Sequence, residues 1–265
     1  MASTDSVFAG SIPEYYHRCL GPFLFEPYAA DLAGRAAALG PRRILETAAG
    51  TGIVTAALAR ELPEAEIVAT DLNPDMLRVA QSKADSPRVS FAPADAQSLP
   101  FDDAGFDLVV CQFGAMFFPD RVAAYREARR VLRPGGAFLF NVWDRLDSNP
   151  ASQTVAEAVA ALFPDDPPSF IGRVPFGYHD TARIEADLRA AGFTRIEAAT
   201  VAKRSRGAAR EVAPGLCQGS PLRAEIEARA PDRLDEATEA AAAALVRRHG
   251  DPVDAAMSAH IFTAR

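Results

Sequence analysis

Cysteine is scarce. Cys19, Cys111 and Cys217 are the three in 265 residues, far apart and with no C-x-x-C pair. That excludes a disulfide framework and a cysteine-based zinc site, and it suits a reducing compartment. Long apolar runs are missing as well, so no stretch reads as a membrane span. The leading MASTDSVFAGSIPEYYHRC lacks a charged head followed by an apolar core, so no export signal is expected. Positive charge is in deficit, with 28 Lys and Arg against 35 Asp and Glu and a net charge of −7. A nucleic-acid partner would require a clustered basic surface. The densest basic stretch, Lys203, Arg204, Arg206 and Arg210, is short and reads as a solvated face. No His, Cys, Asp or Glu grouping has metal-ligand spacing, so no metal is expected. The expectation is a cytoplasmic protein engaging neither membrane nor nucleic acid.

What is present is the balance of a globular protein, 49% apolar and 24% charged. From residue 43 the apolar pattern alternates between strand and helix. Strands are predicted at 43–47, 66–70, 88–92, 106–112 and 137–143, and helices at 52–62, 75–84 and 121–132. Alternation of this kind implies parallel strands joined by right-handed crossovers, with both sheet faces covered. After Asp144 the rhythm changes. Helices are predicted at 151–163 and 180–191, strands at 196–202 and 255–263, and an alanine-rich helical segment between those two strands. The fold class expected is α/β, Rossmann-like and doubly wound. Its seven-stranded sheet is mostly parallel with an antiparallel edge strand. An N-terminal helical cap (1–40), interrupted at Gly21-Pro22, precedes the main domain (41–265), which carries helical insertions at about 145–179 and 208–249.

The first strand runs into a glycine turn, ILETAAGTGIVT at Ile44–Thr55, and then a helix, which is a nucleotide-binding arrangement. The dinucleotide fingerprint fits poorly, since Gly50-x-Gly52-x-x lands on Thr55, and no Gly-Lys-Ser/Thr follows to make a P-loop. Charge discriminates further. Glu46, Asp71 and Asp95 fall at or just past the carboxyl ends of successive strands, the rim that lines the crevice of an open parallel sheet. Asp71 lies 19 residues beyond Gly52 (71 − 52), where a carboxylate can grip a ribose diol. Asp95 can accept from an exocyclic amine. At the turn Glu46 would repel a phosphate and attract an ammonium or sulfonium group, so a cationic nucleoside, S-adenosylmethionine, is the cofactor expected. Individually, Asp71 and Asp95 read equally well as turn or cap residues.

These residues resemble a known family. E-x-A-x-G-x-G at Glu46–Gly52, Asp71 in TDLNPDML, Asp95-Ala96 in PADAQSLPF, and RVLRPGGAFLF at Arg130–Phe140 are similar to class I S-adenosylmethionine-dependent methyltransferases. The type 11 methyltransferase domain, with its ubiquinone and menaquinone biosynthesis relatives, is the nearest likeness, over about Arg42 to Trp143. One departure is Ala48, where such turns usually carry their first glycine. The resemblance implies that Glu46, Thr47 and the backbone through Ala48, Gly50 and Gly52 face the methionine part. It places Asp71 on the ribose, Leu72 and Met76 on the adenine face, Asp95 and the Ala96 N–H at the adenine amine, and Gln112 and Phe113 beside the transferred methyl. S-adenosylhomocysteine would be the product.

On the acceptor side the sequence is less specific. Gln112-Phe113-Gly114-Ala115 lacks the Asn/Asp-Pro-Pro-aromatic run of enzymes that methylate DNA bases, so a small-molecule acceptor is expected, reacting at O, C or N. Tyr16 is the expected cap contact, and His179 in FGYHD the best-placed general base. The other three histidines, His17, His249 and His260, read as structural. Arg223, Gln218 and Ser220 offer groups to an acceptor or, equally, belong to an interaction surface, and the run Ala240–Ala244 suits close helix packing, in a homodimer for example. Two other readings stay open: a regulatory protein that binds S-adenosylmethionine or S-adenosylhomocysteine without turnover, and a nucleotide-dependent oxidoreductase, which Glu46 and the missing third glycine disfavour.

Overall fold

The structure, a computed structural model, describes Asp5, Phe8, Gly10 and residues 12–265; the remainder of the expected 1–40 cap lies outside the described residues. The chain opens with α1 (Ile12–Tyr15), a wide π-helical stretch (Tyr16–Phe25) and α2 (Glu26–Leu39). The break expected at Gly21-Pro22 is a continuous helical path instead. Pro22 has no N–H to donate, and the stretch widens across it rather than stopping. Gly40, at φ 62°, ends α2 in the left-handed conformation.

Strand and helix then alternate: β1 (Arg43–Glu46), α3 (Ile53–Glu61), β2 (Glu66–Asp71), α4 (Pro74–Lys83), β3 (Val89–Pro93), β4 (Phe106–Gln112), α5 (Arg121–Val131) and β5 (Leu132–Trp143). Next come α6 (Pro150–Ala160), α7 (Phe170–Arg173), α8 (Thr181–Ala190), β6 (Ile196–Gly207), α9 (Ala209–Gln218), α10 (Leu222–Arg229), α11 (Leu234–His249) and β7 (Val253–Ala264). The seven strands form one sheet in the order β3-β2-β1-β4-β5-β7-β6. The first five pair in parallel, and the expected antiparallel strand is β7, held between β5 and the outermost β6. This is a Rossmann-like α/β fold.

Strand β4 shows why. In FDLVVCQ, Val109 and Cys111 are buried on one side, while Leu108 and Val110 join α2 and α3 on the other. A strand covered on both faces reads as a continuous apolar run. Strand β6 outruns its predicted length because it stays paired with β7 from Ile196 to Gly207. Its exposed Arg204 bonds Asp254 at 2.6 Å, so the basic stretch lies along a charged sheet edge. Within the run Ala240–Ala244 of α11, Ala241 and Ala244 are buried beside α6 and α9, while Ala243 is exposed. No helix among the described residues is long and apolar enough to cross a membrane.

Strand order reverses on either side of β1, with β2 on one flank and β4 on the other. That switch point opens a crevice at the carboxyl ends of the strands.

Candidate functional site

The turn after β1 is built on alternate left-handed residues: Ala48 at φ 52°, Gly50 at 57° and Gly52 at 79°. Glycine adopts this conformation without strain, whereas alanine does so at a cost. Gly52 is also required by space, since a Cβ there would stand 2.9 Å from Ala80 Cβ on α4. Gly50 lies beneath Met76 and Tyr16, whose atoms would meet its missing Cβ at 3.5 and 4.0 Å.

Two carboxylates are buried at this turn. Glu46, only 1% exposed, accepts a 2.6 Å bond from the Thr55 hydroxyl at the start of α3. Burial, with the negative charge of Asp71, pushes its pKa up to about 8 against the lowering effect of Thr55. Asp71, 6% exposed, accepts from the Gly50 and Asn73 N–H groups, each at 2.8 Å, and so ties β2 to the glycine turn. Its pKa is also raised by burial, with those N–H groups opposing. Among the described residues no Lys, Arg or His forms an ion pair with either carboxylate. Two like charges kept from water without a cationic partner are costly, and a cation placed between them offsets that cost.

Glu46 opens onto a small polar cavity lined also by Tyr16, Phe25, Ala48, Thr51 and Gln112. Gln112 donates through Nε2 to the Phe25 carbonyl at 3.3 Å, while its buried Oε1 has no hydrogen-bond partner. A donor-bearing ligand would satisfy that acceptor. His17 also reaches the turn, its Nδ1 3.0 Å from Thr51 Oγ1; helical position alone gave no sign of it.

A second cavity adjoins the first and shares Tyr16 and Phe25, whose rings stack at 4.7 Å. It is lined by aromatic rings, among them Phe113 and Trp143, stacked at 3.9 Å and 8°, and Phe176, 5.7 Å from Trp143. Phe113 turns in at φ 50°, its N–H held by the Asn141 Oδ1 at 2.9 Å. A larger hollow between α3 and α4, around Arg60 and Lys83, is lined by Gly52 and Thr55 of the turn but not by Glu46 or Gln112.

The expected residues thus divide. Glu46, Thr47, Ala48, Gly50, Gly52, Asp71, Met76, Gln112, Phe113 and Tyr16 gather around the turn and the two cavities. Asp95 and Ala96 follow β3, and Asp95 Oδ1 accepts from the Gln97 N–H at 2.9 Å in a local turn. Leu72 is 54% exposed on the rim. His179 is not among the residues lining either cavity; its Nδ1–H donates to the Phe176 carbonyl at 2.8 Å. Arg223 pairs with Glu227, and Gln218 donates to Thr238, whereas Ser220 lines the aromatic cavity. Trp143, Phe176 and Ser152 were missed as site residues. Trp143 ends a strand that the sequence did locate, and Phe176 opens the FGYHD run that was singled out for His179, but nothing local marked Ser152.

Residues 44–136 match the family described as methyltransferase domain. Over this stretch the chain is similar to a methyltransferase domain. A demethylmenaquinone methyltransferase of Deinococcus radiodurans is 38% identical over 138 residues, covering 51% of this chain and 57% of that protein. The chain therefore spans little more than half the length of such curated relatives. Among solved structures, the YcgJ protein of Bacillus subtilis has a TM-score of 0.57 at 21% identity, covering 88% of this chain and 97% of that one. Phosphoethanolamine N-methyltransferase 2 of Haemonchus contortus has a TM-score of 0.59 at 18% identity, covering 95% and 56%. At these identities the structures establish the fold alone.

Proposed function

We propose that the protein is a methyltransferase that uses S-adenosylmethionine to methylate a small molecule. The observation that carries this reading is the buried, cation-free pair Glu46 and Asp71 at the switch point of a methyltransferase domain. The residues fit the cofactor. Glu46 and the unpartnered Gln112 Oε1 suit an ammonium or sulfonium group, and the left-handed turn allows close approach of the backbone. Asp71 keeps acceptor capacity for a ribose diol, while Met76, Leu72, Asp95 and Ala96 border the side on which a base would lie. A structural neighbour from Haemonchus contortus is described in complex with S-adenosyl-L-methionine, in keeping with this assignment.

The cofactor supplies a methyl group on sulfur whose leaving group departs neutral. The chain's own part is then to hold, orient and exclude water, and orientation alone can account for several powers of ten in rate. Tyr16 and Phe25 stand at the boundary of the polar and aromatic cavities, where transfer would occur. His179 acts from outside by holding the Phe176 carbonyl, which makes it a positioning residue.

Isothermal titration with S-adenosylhomocysteine tests the cofactor, and transfer of labelled methyl into an extract of small metabolites tests the activity. Heat only with a pyrophosphate-bearing coenzyme would sink the proposal. Binding without any labelled product would favour the regulatory reading.

A further inference from the structure

The aromatic cavity carries a narrower statement about the acceptor. Phe113, Trp143 and Phe176 form one side of it, and Tyr16, Phe25 and Phe117 contribute further rings. The rest of its lining is Phe, Leu, Met, Ile and Pro, with only two serine hydroxyls. One of these, on Ser220, already donates to the Leu216 carbonyl at 2.6 Å. Among the described residues that line it there is no Asp, Glu, His, Lys, Arg or Cys.

Two consequences follow. A nucleophile that must lose a proton during transfer has no side-chain base among the residues lining this cavity to receive it. Tyr16, the one titratable lining group, is held in its neutral form by burial and by the charge of Asp71. Ring faces also carry negative quadrupole potential, so a wall of them favours a cation without bringing a counter-charge.

We infer that the cavity accepts an uncharged aromatic compound with a lone pair on nitrogen or sulfur and releases it as a methylated onium ion. This rests on the methyl-transfer reading above. In the step, the acceptor's lone pair forms the new N–C or S–C bond. The old C–S bond of the methyl group breaks, its electron pair staying on the departing sulfur. One positive charge passes to the acceptor, and no proton is released. The absence of a base and the abundance of rings are then two sides of one design, because the positive charge that arrives on the acceptor is the charge the walls stabilise.

Trp143 is the single tryptophan in the chain, so its fluorescence reports directly on occupancy of the cavity. The protein, saturated with S-adenosylhomocysteine, is titrated with N-methylquinolinium, its neutral isostere 1-methylnaphthalene, and 1-naphthoate. The cation should bind about five- to thirty-fold more tightly than the isostere, the range that cation–π contact gives, and the anion weakest. Phe176→Leu should remove that preference and Phe176→Tyr retain it. Phe117→Leu, at a half-buried position, repeats the test with less risk to folding. The proposal is overturned if the isostere or naphthoate binds as tightly as the cation, if the preference survives both leucine variants, or if no probe changes the fluorescence. Titration of S-adenosylhomocysteine alone is read first. Its failure would remove the cofactor assignment, whereas a missing cation preference beside normal cofactor binding would remove only this inference.

Discussion

The methyl group of Ala48 rests against Gly114: a Cβ built on Gly114 would lie 2.5 Å from Ala48 Cβ and 2.8 Å from Cys111 Sγ. The turn thus carries an alanine at φ 52° where glycine would be relaxed, and the loop after β4 leaves room for its side chain. The departure at Ala48 is accommodated by a residue 66 positions away (114 − 48).

A double-mutant cycle tests that relationship. Ala48→Gly should change stability by no more than about 1 kcal/mol, since relief of the left-handed strain offsets the lost methyl contact. Gly114→Ala should cost about 1–3 kcal/mol through overpacking. In the double variant Ala48→Gly should recover part of that loss, a coupling of about 0.5–3 kcal/mol in denaturant titrations. Cys111 keeps the recovery incomplete. Strict additivity would show that the two sites are independent.

Glu46 makes both stability and cofactor binding depend on pH. Its ordinary value is 4.5 and its folded value about 8. Between the two the folded protein holds a proton that the unfolded chain has lost, so stability falls as pH rises through that window. Glu46→Gln should flatten this slope and raise the melting temperature at pH 8. A cation selects the ionised form, so affinity for S-adenosylmethionine should climb up to about pH 8 and level off, with proton release on binding near neutrality. The same variant should weaken binding by about 1.5–3 kcal/mol, roughly ten- to a hundred-fold. Calorimetry in buffers of different ionisation enthalpy measures both effects.

Gln112 separates a binding role from a structural one. Replacing it with Leu removes an unpartnered buried acceptor and loses one long bond to the Phe25 carbonyl. Melting of the cofactor-free protein should be unchanged or slightly higher, while the upward shift produced by S-adenosylhomocysteine should shrink. A destabilised variant with an undiminished shift would assign Gln112 to holding the N-terminal helix.

For His179, the expected result is a small effect. Loss of a general base costs about 10²–10⁴-fold. His179→Ala should slow transfer by less than about tenfold and leave its pH profile in place, because the ring contacts Phe176 rather than the cavity. His179→Gln, which can still donate to that carbonyl, should recover most of the rate. A loss of a hundredfold or more, with a shifted profile, would reinstate it as a base.

Legibility in the sequence followed range. Strands and helices were placed to within a few residues wherever period and turn residues are local, as in β4, located at Phe106–Gln112. The misread break at Gly21-Pro22 shows the limit of that rule, since proline forbids a hydrogen bond but not a wider helix. The charged rim was partly legible. Glu46 and Asp71 stood out by type and spacing, but their burial and the lack of a paired cation are facts of packing.

By itself, the sequence determined the strand–helix alternation, the glycine turn and the acidic residues at the strand ends, because each is written in neighbours a few positions apart. Only the tertiary structure decided which aromatic rings share a wall. Tyr16, Phe113, Trp143 and Phe176 come from four separate segments, and they meet because sheet order and helix packing bring those segments to one end of β4 and β5. No local pattern encodes such a meeting, since each ring alone satisfies the same rule that buries any apolar side chain.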